Sequence, residues 1–280
     1  MAYARLGAGA PVIETCRYPG SKLQFRAPMQ PLAGRYVACL GGCATHGRVV
    51  AEPYPARLSQ ATGLTCVNLG LPNAGVDVML GDTVLRQATQ GAAALVVQLP
   101  GAANLSNRFY RVHPRRNDRF LAAAAPLRAF YPEMDFTAFH FTRHMLGVLQ
   151  ARGPDRFAEI VTTLRRAWLA RMGRLIARAD GPVILLWLSR RRAEVRAEHV
   201  DSAGDPVLIT RTMLERLRPQ AAALVELTLP APAASARQHT LAPGTERLLE
   251  AGLPDAAAHE RTARALAATL RHLTFPAGAA

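Results

Sequence analysis

The chemistry this chain offers begins in "YVACLGGCATHGRVV" (residues 36–50). There an apolar run breaks on Gly41 and Gly42, Cys43 follows at once, and His46 comes three residues later. A thiol held on such a turn becomes a nucleophile when a base or a positive field lowers its pKa. Further on come Gly70, the run "NAGVD" (73–77) with Gly75, and "GAAN" ending on Asn104; Asp255 and His259 stand late in the chain. Acyl transfer needs a nucleophile within reach of a base, and fixed donors for the oxyanion, each worth roughly 3 kcal/mol. The same residues also have plainer readings. Cys43 can be a small residue in a tight bend, or a position that aids ligand binding without turnover. His46 can be an exposed loop histidine, His259 a surface helix histidine, and Asn104 a turn residue bonding its own backbone.

These groups meet only if the fold gathers them. Short β-rich runs at 35–42, 65–70, 93–101, 181–189 and 222–229 predict five strands. Helical patterns at 53–63, 76–90 and 254–273 lie between and after them. Strands alternating with helices predict an α/β domain with a parallel sheet, whose ligands bind at the carboxyl ends of the strands. Cys43, Gly70 and Asn104 each follow a predicted strand and so share that edge. Residues 1–34 form an N-terminal strap and 35–280 a single α/β domain. The long step between strands three and four, about 105–180, predicts a mainly helical insertion over one end of the sheet. The stretch "PAPAASARQ" (230–238) reads as a loop.

The chain carries 34 basic against 20 acidic residues, a formal charge of +14, and Lys22 is its only lysine. Abundant arginine and alanine fit a GC-rich coding bias, so the location of the charge means more than its sum. Arg108, Arg111, Arg115, Arg116 and Arg119 follow strand three directly; further arginines lie at 143–178 and 190–192. Arginine's planar fork suits carboxylate, sulfate or phosphate, which points to an anionic small molecule or saccharide; a solvated face is the plainer reading. Nucleic acid is not expected as a partner, because no recognition-helix or RNA-binding signature is present. No apolar run is long enough for a membrane span, and no secretory signal opens the chain, so a cytoplasmic protein is expected. Cys16, Cys39, Cys43 and Cys66 show neither CxxC nor metal-ligand spacing, and no disulfide framework is expected. Cys39 and Cys66 fall in predicted strands as small buried residues. His140 and His144 stand four apart without a third ligand, so no metal or cofactor is expected.

A nucleophile, a backbone-donating glycine, an asparagine and a late histidine, in that order, resemble the four blocks of the SGNH (GDSL-type) hydrolases. There a first-block serine attacks an ester carbonyl. The resemblance implies Cys43 as nucleophile, Gly70, Gly75 and Asn104 as oxyanion donors, His259 as general base and Asp255 as its acid. It also implies a three-layer, flavodoxin-like sheet. The chain departs from the pattern in three respects: Cys43 replaces the serine, the third block reads Gly-x-x-Asn, and Asp255 lies four residues before His259. The phrases "YPGSKLQFR", "NLGLPNAGVD", "SNRFYRVHPRRNDRF" and "DFTAFHFTRHML" are similar to a bacterial family known only as a domain of unknown function. Its first block reads Gly-Gly-Ser-Glu-Thr-aromatic-Gly, against "GGCATHG" here, with differences at Cys43, Ala44 and His46. Two functions follow. One is a hydrolase or acyltransferase acting on an anionic or carbohydrate-linked ester. The other is a non-catalytic protein of that fold that binds an anionic saccharide or a protein partner.

Overall fold

The computed structural model describes residues 13–193, 200, 205–230 and 252–273. Most of the "PAPAASARQ" stretch lies outside the described residues. In chain order the strands are β1 (Thr15–Cys16), β2 (Phe25–Arg26), β3 (Tyr36–Gly41), β4 (Thr65–Gly70), β5 (Ala94–Gln98), β6 (Tyr110–His113), β7 (Arg116–Ala123), β8 (Val183–Ser189) and β9 (Ala223–Thr228). The α-helices are α1 (Cys43–His46), α2 (Tyr54–Thr62), α3 (Val76–Gly81), α4 (Thr83–Gln90), α5 (Ala125–Phe130), α6 (Thr142–Arg152), α7 (Pro154–Ile176), α8 (Arg211–Leu217) and α9 (Ala256–Arg271).

The central sheet has five strands in the spatial order β4-β3-β5-β8-β9, every pair parallel. All five lie within or on the predicted runs. Strands buried on both faces read as continuous apolar segments, which is why "YVACL", "ALVV" and "VILLWL" are legible without alternation. Alternation reappears in the packing. Ala38, Leu40, Leu95, Val97, Leu185 and Trp187 face a core built with α3, α4, α7 and α8. Val37, Cys39, Val96, Ile184 and Leu186 face a second core built with α2 and α9. Helices therefore cover both faces of the sheet. Among the described residues no helix is long and apolar enough to cross a membrane.

One expectation needs correction, and the insertion between the third and fourth strands of the sheet adds two features. The helix expected over 76–90 is two helices. Asp82 stops α3 and caps α4, its carboxylate accepting the N–H groups of Val84 (3.0 Å) and Leu85 (3.1 Å), because a short acidic side chain competes for the backbone. The insertion opens on an antiparallel hairpin, β6 with β7, before its helices. The alternation in "YRVH" marks β6, whereas β7 buries Asn117, Phe120 and Ala123 at three-residue steps beside an irregular pairing, so the arginine-rich stretch carries a weak strand signal. The insertion also does more than cover an end. The long α7 packs against α3 and α8 on the sheet face, and its Trp168 indole N–H donates to the Pro100 carbonyl at 2.9 Å.

The N-terminal strap is tied to the first strand's turn. The buried-stem guanidinium of Arg26 donates to four carbonyls, those of His46 (3.2 Å), Gly47 (2.6 Å), Val50 (3.0 Å) and Ala51 (2.7 Å). These carbonyls close the end of α1 and the loop behind it. Arg26→Ala is expected to lower stability by about 3 kcal/mol, the net worth of charged hydrogen bonds at a part-exposed site. Amides of residues 46–51 should exchange faster with deuterium. Arg26→Lys should not restore protection, because one ammonium cannot reproduce a planar fork; full protection in the lysine variant would contradict this account.

Candidate functional site

Strand β3 lies at the point where the chain order of the sheet reverses, and its carboxyl end is where a crevice opens in such sheets. Cys43 begins α1 there, with Gly42 as the residue before the helix and Gly47 closing it at φ +74°. A Cβ on Gly41 would stand 1.9 Å from Thr45 Oγ1 and 2.6 Å from Gln98 Oε1. That close approach explains the first glycine. The Gln98 side chain, at the end of β5, accepts the Gly42 N–H (2.9 Å), the Thr45 N–H (3.4 Å) and the Thr45 hydroxyl (3.0 Å). One amide oxygen thus holds the whole turn against the neighbouring strand. Gln98 went unread in the sequence, although a lone glutamine in "ALVVQ" is the kind of polar residue that a buried strand must account for.

Cys43 is partly exposed, and its immediate partner is Asn73. The thiol donates to Asn73 Oδ1 at 3.2 Å, and the Asn73 N–H donates to the sulfur at 3.3 Å. Asn73 sits at φ +57°, a left-handed conformation that asparagine tolerates, and this points its backbone N–H at the sulfur. Its amide nitrogen donates to Asp118 Oδ2 at 3.3 Å, which fixes the carbonyl oxygen toward the thiol. Burial raises the Asp118 carboxyl above its ordinary range, partly offset by hydrogen bonding and by Arg119 and Arg116. Burial likewise raises the Cys43 thiol, with the Asn73 N–H and the adjacent Arg48 guanidinium pulling it back and Asp205 pushing it up. Asp205 forms an ion pair with Arg143. Asn73 and Arg48 thus act on the thiol directly, with Asp118 behind Asn73 and the Asp205–Arg143 pair adding to the local field.

The expected site residues divide. Asn104 is gathered: its amide nitrogen donates to the Asn73 carbonyl at 3.2 Å and its oxygen accepts the Thr142 hydroxyl at 2.7 Å. The N–H groups of Gly70 and Gly75 do not turn to the sulfur. Gly70 donates to Asn68 Oδ1 (3.0 Å) and Gly75 to Asn117 Oδ1 (3.1 Å). The backbone donor that does face the sulfur is Asn73. His259 is fully buried in the layer of α2 and α9, its ring stacked on Tyr54 and its Nδ1 accepting the Tyr54 N–H at 3.0 Å. An accepting Nδ1 places the proton on Nε2, which is buried and has no hydrogen-bond partner among the described residues. Burial, with Arg57 and Arg26 nearby, holds the ring's pKa down to about 3. Asp255 does not engage that ring; its carboxylate caps α9 at the Ala258 N–H, 2.8 Å away. His46 is also buried, and burial with Arg26 and Arg48 lowers its pKa to about 4.

The five arginines are not gathered into one site. Arg108 pairs with Glu159 and lies 4.5 Å over the Phe109 ring, and Arg119 lies 4.3 Å over Phe141. Arg111, Arg115 and Arg116 are exposed on the hairpin. Between them the fully buried Asn117 accepts from Gly75 and Val78 and braces the start of α3. Within "RRNDR" the side chains that reach the loop after β4 are Asn117 and Asp118. His140 precedes α6 and is not on one helix with His144; among the described residues no group of three or more His, Cys, Asp or Glu is placed to hold a metal.

A family model described as a domain of unknown function, DUF6473, matches residues 1–274. The chain belongs to this family. The match takes in every group just described, from the Arg26 strap through Cys43 and Asn73 to His259 on α9. Comparison with curated proteins gives no match. The chemistry of this family member therefore has to be argued from its own side chains.

Proposed function

We propose that this DUF6473 chain is a non-catalytic relative of the SGNH hydrolases that binds an anionic saccharide or similar small molecule at the strand ends around Cys43. The order 2-1-3-4-5 of the parallel strands supports the flavodoxin-like assignment. The observation that carries the reading is the state of His259. Its one acceptor nitrogen is taken by the Tyr54 N–H, so it is not free to draw a proton from Cys43, while the thiol proton rests on an amide oxygen that is no base. The Arg48 guanidinium at the sulfur supports the anionic character of the ligand. The hydrolase or acyltransferase reading draws support from the same Arg48 and from the Asn73 N–H, which would both stabilise a thiolate.

One set of variants separates them. Wild type, Cys43→Ala and Cys43→Ser are expected to hydrolyse p-nitrophenyl acetate and acetylated sugars no faster than buffer. Glucuronate should bind to wild type by calorimetry and bind about tenfold more weakly to Arg48→Met, the worth of one charge-assisted contact. Wild-type turnover that disappears in Cys43→Ala would establish the thiol as nucleophile and sink the binding reading. Turnover confined to Cys43→Ser would reveal an esterase framework silenced by sulfur.

A further inference from the structure

A cavity of about 350 Å³ lies between the N-terminal strap, α3, the start of α4 and the tip of the β6–β7 hairpin. None of the residues that line it is among those described around Cys43. Its size falls in the range of small-molecule sites. Two cations border it, Lys22 from the strap and Arg115 from the hairpin, and both are exposed. Two carboxylates border it as well, and both are engaged from behind. Asp77 pairs with Arg171 at 2.6 Å and accepts the Ser106 N–H at 2.7 Å. Asp82 caps α4 and accepts the Ser21 hydroxyl at 2.8 Å. Counted with Arg171, the charges at the cavity sum to one positive in excess, Lys22, Arg115 and Arg171 against Asp77 and Asp82, and the start of α4 offsets part of the Asp82 charge.

We propose that this cavity binds an anionic, hydroxyl-bearing small molecule of monosaccharide size, such as a sugar phosphate. Lys22 and Arg115 approach from opposite walls and clamp the anionic group. The free lone pairs of the Asp77 and Asp82 carboxylates accept sugar hydroxyls, which ordinary anions lack. Leu23, Val78 and Val112, all buried, supply an apolar floor for the C–H face of the ring. This site stands apart from the proposal for Cys43, and either can fail alone.

Lys22 makes the test direct, because it is the only lysine in the chain. Full-length protein is treated with an amine-acetylating reagent, and the rate at Lys22 is read by mass spectrometry. The probes are glucose 6-phosphate, inorganic phosphate and glucose, each at millimolar concentration. Glucose 6-phosphate should slow acetylation of Lys22 about fivefold or more, while glucose should leave it unchanged. By calorimetry Lys22→Met and Arg115→Met should each weaken glucose 6-phosphate about tenfold. Protection should persist in Arg48→Met, which separates this cavity from the site at Cys43. Absence of protection by glucose 6-phosphate would overturn the proposal. So would protection by inorganic phosphate as strong as that by the sugar phosphate, since the carboxylates and the apolar floor would then contribute nothing. Loss of protection in Arg48→Met would overturn the independence of the site.

Discussion

Gly75→Ala is expected to destabilise the protein by about 4 kcal/mol, a fall in Tm of about 10 °C. An added Cβ would stand 1.7 Å from the Asn104 carbonyl oxygen and 2.8 Å from its carbonyl carbon. Both are backbone atoms, so no side chain can rotate away, and the two loops that meet there have to separate. Separation would undo the Asn104–Asn73 and Asn117–Gly75 hydrogen bonds at once. The effect should therefore reach the site as well as the stability, with faster alkylation of Cys43 as the loop carrying Asn73 loosens. Gly147→Ala is the matched control. That glycine lies inside α6 with open space around its Cα, and alanine should stabilise it by up to about 1 kcal/mol. Thermal unfolding of both variants checks the pair, and a Gly75→Ala protein with wild-type Tm would refute the packing argument.

Acidification is the second large effect. His259 and His46 titrate near pH 3 and pH 4 in the folded protein, against an ordinary value of 6.5. The unfolded chain takes up these protons first, so the sign is fixed. The two residues leave stability intact above about pH 6.5 and erode it as pH falls toward their folded values. At pH 5 each contributes a loss of about 2 kcal/mol, together roughly 4 kcal/mol relative to pH 8. Protonation of His259 also destroys the acceptor that holds the Tyr54 N–H. Asp118, whose carboxyl is raised, acts in the opposite sense at lower pH. Denaturant titrations from pH 8 to pH 5 should show this slope, and His259→Gln, whose amide oxygen can accept from Tyr54, should remove about half of it. A slope unchanged in that variant would mean that His259 is not the titrating group.

Much of the architecture was legible in the sequence. Parallel strands buried on both faces have to be apolar throughout, and Gly63 and Asp255 mark helix ends by left-handed and capping preferences that are local. The hairpin is hard to read because only Tyr110 and Val112 follow the two-residue strand period, while β7 buries Asn117 and Phe120 three residues apart among arginines. The partition of 76–90 was missed because an acidic residue in a helical pattern reads equally as a surface position or as a cap. At the site, Cys43 and Asn104 were identified by their places after strands. Arg48, Gln98, Asn117 and Asp118 were not, since nothing in their immediate neighbourhood declares a partner.

By itself the sequence determined that five strands would alternate with helices and that Cys43, Gly70 and Asn104 would each follow a strand on one edge of the sheet. It could do so because hydrophobic period and turn chemistry are short-range properties. Only the tertiary structure decided what each group touches. The thiol faces Asn73 and Arg48, and the nitrogen of His259 accepts from Tyr54, a residue 205 positions away. A buried imidazole must give its acceptor to whichever donor the packing brings near, and the packing of two helices side by side on one face of a sheet is set by the whole core and not by the residues flanking the histidine.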